Sequence, residues 1–175
     1  MKRIISIAAL MIIVALAGRS AMAQNLKFGH INSDELIQTM PEYDSATVKL
    51  EKFRKELVNA LELMSVELNT KNDAYQKESK NLSDIVKQTK EQELMDMNKR
   101  IQDFQNNAQT QLQSKQAELF QPIVAKVDKA IKDVGKENGY LYVFDVSPSK
   151  ANLLYFDETK STNILPLVKT KLGLK

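Results

Sequence analysis

The 175-residue chain has no cysteine and no tryptophan, a single histidine, five glycines and four prolines. Each scarcity excludes something. Without cysteine there is no disulfide framework, no thiol nucleophile and no thiolate metal site. One histidine, His30, cannot build a multi-histidine metal site. It reads as a structural residue at the end of a first strand. No glycine-rich loop is present to cradle a phosphate. Asp34 and Glu35 are adjacent carboxylates, but at a helix start they serve the dipole and the cap rather than acid–base chemistry. The expectation is a protein that is not an enzyme, with no catalytic, cofactor-binding or metal-binding residue.

The scarcity of glycine and proline is uneven. Between Pro41 and Pro122 there is neither. These residues are the strongest breakers of regular structure, so a gap of roughly 80 residues permits very long helices. Apolar residues inside it recur in steps of three and four. The first half carries Ala46, Leu50, Phe53, Leu57, Ala60, Leu61, Met64 and Leu68. The second half carries Leu94, Met97, Ile101, Phe104, Ala108, Leu112 and Leu119. That spacing places each set on one helical stripe.

An 80-residue helix would be about 120 Å long, with a stripe needing a partner. The turn-favouring residues Asn81, Ser83 and Asp84 stand midway between the two prolines. The chain is therefore expected to fold back at Asn81–Leu82. This makes an antiparallel coiled-coil arm of about 60 Å over residues 42–120, with its tip near 80–84. Pro122 is expected to kink the second helix where it returns to the body. Residues 106–117, rich in Asn and Gln, read either as a thin seam that lets the arm splay or as a solvated face.

The N-terminus reads as a targeting segment. A basic start, Met1-Lys2-Arg3, precedes an apolar run from Ile4 to Ala17 and the small residues of Ala21-Met22-Ala23. This is the pattern of a signal peptide, residues 1–23, cleaved after Ala23. No lipobox cysteine marks a lipoprotein. The segment carries Lys2, Arg3 and Arg19 and no acid. Its removal takes the formal charge from +3 to neutral, with 22 residues of each sign. The basic character belongs mainly to the signal and does not indicate nucleic-acid binding.

The flanks, 24–41 and 121–175, form a small β-rich body. A short strand is expected over Leu26–Ile31, including Phe28. Asn32 then caps a short helix over Glu35–Thr39. After the arm, Asn138-Gly139 ends the long helix. Tyr140-Leu141-Tyr142-Val143-Phe144-Asp145-Val146 reads as a strand covered on both faces. Ser147–Lys150 is expected to turn into a second strand over Asn152–Phe156, with Leu153, Leu154 and Tyr155, making a hairpin. Ser161 or Thr162 is expected to cap a last helix through Leu172, with Pro166 in its first turn. The fold class is α+β: a long helical-hairpin arm on a small sheet body. Open strand edges on so small a body favour oligomerisation through the strands.

The order of parts is specific. A signal peptide, strand and short helix lead to Met40-Pro41-Glu42 and a long helical hairpin. Asn138-Gly139-Tyr140 opens an apolar strand, and Leu167 to Leu172 reads Leu-Val-Lys-x-Lys-Leu. This resembles the Skp/OmpH family of periplasmic chaperones over the whole mature chain. The resemblance implies a homotrimer built on a central β body, three arms around a cavity, and ATP-independent holding of unfolded outer-membrane proteins in the periplasm. It implies that Leu26, Phe28, Tyr140, Tyr142, Val143, Phe144, Leu153, Leu154 and Tyr155 assemble that body.

On such a protein, apolar residues off the seam are client-contact candidates: Leu63, Val66, Leu82, Ile85, Val86 and Met95. Lys71, Lys77, Lys80, Lys87 and Lys90 near the tip either steer anionic lipid or lipopolysaccharide in weak contacts, or form a solvated face. The alternative function is a structural or adaptor coiled coil of the envelope with fixed partners.

Overall fold

The computed structural model describes residues 26–150, 153 and 155–174. The expected signal peptide lies outside them. Strand β1 (Phe28–Ile31) opens the fold. Helix α1 (Ser33–Gln38) follows, and the Asn32 side chain accepts a hydrogen bond from the Glu35 amide, as a cap should. Helix α2 (Pro41–Glu78) begins with proline, whose missing N–H costs nothing at that position. Glu42 and Asp44 in its first turn and Lys77 in its last complement the helix dipole.

A 3₁₀ turn over Ser79–Asn81 and the extended Leu82 and Ser83 reverse the chain. Helix α3 (Asp84–Glu137) then returns over 54 residues. The reversal falls where the turn residues placed it. Every expected seam residue on both helices is half-buried or buried. Ion pairs fix the antiparallel register from tip to base: Lys90–Glu78, Lys71–Glu93 and Lys126–Glu42. At the base, Pro41 and Pro122 line one open hollow with Ala46 and Leu119. Pro122 sits inside α3, which continues past it without a break, so arm and body share one helix.

Helix α3 ends at Asn138, and Gly139 takes φ 68°, a left-handed cap that only glycine adopts freely. Strand β2 (Tyr142–Asp145), strand β3 (Ser161–Asn163) and helix α4 (Leu165–Leu172) complete the fold. The sheet order is β2-β1-β3, and both pairings are parallel.

This corrects the expected hairpin. Strand β1 lies between the other two, so the 140–146 segment pairs with it and not with a return strand. Leu141 donates to the Lys27 carbonyl at 2.8 Å and Val146 to that of Ile31 at 2.9 Å. The Ser147–Lys150 turn is tied to α1 instead, since Ser149 donates to the Asp34 carboxylate from both its amide and its hydroxyl. Leu153, Tyr155 and Phe156 lie in no strand, while Asn152 and Leu154 fall outside the described residues. Ser161 and Thr162 do not cap α4 because they form β3. The N-cap position is Ile164, which makes no side-chain cap, and the Asn163 side chain before it accepts from the Leu165 amide at 2.9 Å.

Helices α1, α3 and α4 cover one face of the sheet. Ile31, Leu36, Met40, Val127, Val134, Ile164 and Val168 make the core, all nearly or fully sealed from solvent. Gly29 lies in close approach: a Cβ there would stand 3.1 Å from Ile164 and 3.2 Å from Tyr140, tighter than ordinary contact.

Candidate interaction surfaces

The arm presents an apolar set off its seam. Leu63 is 71% exposed and Ile85 78%, and Val66, Val86 and Met95 are also exposed. Leu82 differs from the other five. It is half-buried, folded into the tip turn where its amide donates to the Ser79 carbonyl. Val48 and Val58 join the set, at 69% and 55% exposed. They were missed by the sequence reading although Val48 stands two residues beyond the seam residue Ala46, the same offset as Leu63 from Leu61. Val48 and Val66 lie 18 residues apart, five helical turns, and therefore share one side of α2 about 27 Å apart.

The tip lysines divide in two. Lys71 pairs with Glu93 and Glu67, Lys90 with Glu78, and Lys87 with Asp84. The Lys71–Glu93 hydrogen bond holds the Lys71 ammonium above its ordinary pKa and the Glu93 carboxyl below its own. Tyr75 adds a hydrogen bond to Glu91 across the hairpin. The Lys71–Glu93, Lys90–Glu78 and Tyr75–Glu91 contacts join the two helices, while Lys71–Glu67 and Lys87–Asp84 lie within one helix each. Lys77 and Lys80 are exposed and form no ion pair among the described residues.

On the body, the outer sheet face is aromatic. Strand alternation sends Phe28, His30, Tyr142 and Phe144 outward and Gly29, Ile31, Val143 and Asp145 inward. The Phe28 and Tyr142 rings stack 6.3 Å apart, and Tyr142 and Phe144 6.1 Å apart. Tyr142 is 58% exposed and Phe144 39%. Only one face of β2 is thus covered within the single chain, not both as expected. Leu26, Leu153 and Tyr155 are exposed as well, and Tyr140 is half-buried against the core. His30 packs on Phe156 with ring centroids 4.8 Å apart, and its Nδ1 lies 2.9 Å from the Ser161 hydroxyl.

The inward Asp145 organises a polar cluster the sequence did not signal. Its carboxylate accepts from the Ser33 amide and hydroxyl and from the Ser147 amide. Both serines are fully buried. Burial raises the Asp145 pKa, but the hydrogen bonds from Ser33 and Ser147 together outweigh it and hold the carboxyl below its usual range. Lys150 bridges this carboxylate to Asp128 on α3 at 3.7 and 3.8 Å. The cluster joins β2, α1, α3 and the following turn. Both serines are sealed from solvent and tied into these hydrogen bonds, and the geometry is that of a brace.

No helix among the described residues is long and apolar enough to cross a membrane. None of the curated proteins matches the chain. A family model described as "Outer membrane protein (OmpH-like)" matches residues 27–172. That span runs from β1 through the arm to the end of α4, the whole architecture described above. The chain therefore belongs to the OmpH-like family, whose general role is chaperone-type handling of outer-membrane proteins.

Proposed function

We propose that the protein is an ATP-independent holdase, exported to the periplasm with its signal peptide removed after Ala23, that keeps unfolded outer-membrane β-barrel proteins from aggregating. It works as a homotrimer. The aromatic rows of Phe28, Tyr142 and Phe144 come together with the open sheet edges, and the three arms surround the client. No step is enzymatic and no cofactor takes part.

The observation that carries this reading is the arm's surface. Leu63, Val66, Ile85 and Met95 stand exposed on a stiff hairpin whose own seam is already filled. Scattered apolar side chains on a charged surface give many weak contacts without a single docking geometry. Met95 is flexible and polarizable, which suits a changing partner. An adaptor with fixed partners would need a second continuous stripe. Contact with anionic lipid or lipopolysaccharide is weak and falls to Lys77 and Lys80, the tip lysines outside the arm's ion pairs.

The test is direct. The mature protein should sediment with the mass of three chains. It should also keep an outer-membrane barrel, diluted from urea, free of light scattering in the absence of nucleotide. A monomer that leaves scattering unchanged overturns the reading.

A further inference from the structure

The single histidine stands in the middle of the outward sheet face. Strand β1 is the central strand, and strand alternation puts His30 on the same side as Phe28. Its register partners are Phe144 on β2 and Asn163 on β3. The imidazole is half-buried, packed on Phe156, with Nδ1 2.9 Å from the Ser161 hydroxyl. These neighbours are all aromatic or neutral.

The charged groups of the surrounding elements are engaged elsewhere. Lys27, just ahead of β1, donates to the Asn138 carbonyl and lies over the Tyr140 ring. Asp145 on β2 turns inward to Ser33 and Ser147. In the segment that carries Phe156, Asp157 accepts from Thr159 and pairs with Lys160, and Glu158 is exposed. Histidine is the side chain whose ordinary change of charge falls between pH 5 and 8. Carboxylates and lysines of ordinary type keep their charge from about pH 5.5 to 8, and the chain has no cysteine.

We propose that His30 makes assembly of the sheet bodies acid-sensitive: the neutral imidazole is enclosed when the outward faces meet, and the protonated one opposes their meeting. The proposal rests on the trimer reading, in which the rows of Phe28, Tyr142 and Phe144 come together. Lying on the central strand, His30 is carried into that interface with them, one copy from each chain. A charged imidazole loses its water there, and no carboxylate faces it to compensate. Three such charges in one interface also repel one another. In the separated chain the same face is open to water and takes up the proton at little cost. The assembled state therefore binds fewer protons than the separated chains. Its stability is complete on the alkaline side of the histidine range and is lost as the pH falls through it. The arms surround a client only while the bodies hold together, so holding capacity should fall with them.

The experiment is sedimentation of the mature full-length protein at pH 8 and pH 5.5, over a concentration series that spans half-assembly. The half-assembly concentration should rise about tenfold at the lower pH. A lone histidine gives one imidazole Cε1–H resonance, and it should titrate over the interval in which the mass falls. His30→Phe and His30→Gln, each checked for folding by circular dichroism, should sediment alike at both pH values. Because they keep the chain's amino terminus, which titrates in the same window, they also control for it.

Equal half-assembly concentrations of the parent at the two pH values overturn the proposal, as does a pH dependence that survives in either folded variant. A parent that stays monomeric at pH 8 at every concentration removes the trimer reading and the proposal with it. A trimer at pH 8 whose mass ignores acid removes only the role of His30.

Discussion

In the body, Leu36, Met40, Val127, Ile164 and Val168 are sealed from solvent; along the arm, beyond Ala46 at its base, only Met97 is buried. The two regions use the same apolar residue types to different ends. The body stacks three helices on one sheet face, so each side chain is surrounded. The arm is two helices thick, and every seam residue has water on at least one flank. Burial per residue therefore sets a rigid platform against a compliant rod. A surface that must fit many partners belongs on the second, because its shape depends on few contacts.

Five variants test that contrast, beginning with the largest expected effect. Leu36→Ala opens a cavity at a fully buried site and should cost about 3 kcal/mol in urea denaturation. The half-buried arm residue Leu57, changed to alanine, should cost about 1 kcal/mol because less area leaves water there. Equal losses would erase the distinction between the regions.

Asp145→Ala comes next. It strips the buried Ser33 hydroxyl and the Ser147 amide of their acceptor and should cost about 2 kcal/mol at neutral pH. The pH dependence has a definite sign. The folded-state pKa of Asp145 lies below its unfolded value of about 3.9. Its contribution is thus complete above that pH and is lost as pH falls through the lower folded value. Denaturation midpoints of the parent should drop below about pH 4, and the variant should show a shallower drop. Parallel curves would remove Asp145 from the brace.

Leu63→Glu/Val66→Glu should leave stability within about 0.5 kcal/mol, as exposed substitutions do. The sedimenting mass should also be unchanged, while suppression of barrel aggregation falls several-fold. Full suppression by this variant would take the outer arm out of client binding. Glu93→Gln is expected to do least. It removes one exposed cross-hairpin pair, so melting should not move. Amide exchange near the tip should quicken, and high salt should narrow the difference from the parent.

The arm was legible because its signals are local. Proline at 41, the turn residues at 81–84 and apolar steps of three and four lie within short windows, and the seam followed residue by residue. Val48 was equally legible, since it stands two residues beyond Ala46 as Leu63 does beyond Leu61, whereas Val58, next to the seam residue Leu57, carries no such signal. The sheet was not legible in the same way. Tyr140–Val146 reads as a strand, yet its partner lies more than 100 residues back, and no local pattern distinguishes a parallel neighbour from a hairpin return. Asp145 gave no signal either, since an acid at a strand end usually faces water. Ser33 and Ser147 become its partners only after β1, α1 and β2 assemble.

The amino-acid sequence by itself determined a hairpin of two long helices, the position of its tip and the identity of its seam. Helix periodicity and chain punctuation act over a few residues and need no distant partner. The tertiary structure alone decided the order β2-β1-β3, the aromatic face left open on β2, and the brace around Asp145. Those depend on which segments meet across the chain, a choice set by packing against a shared core rather than by the residues of any one segment.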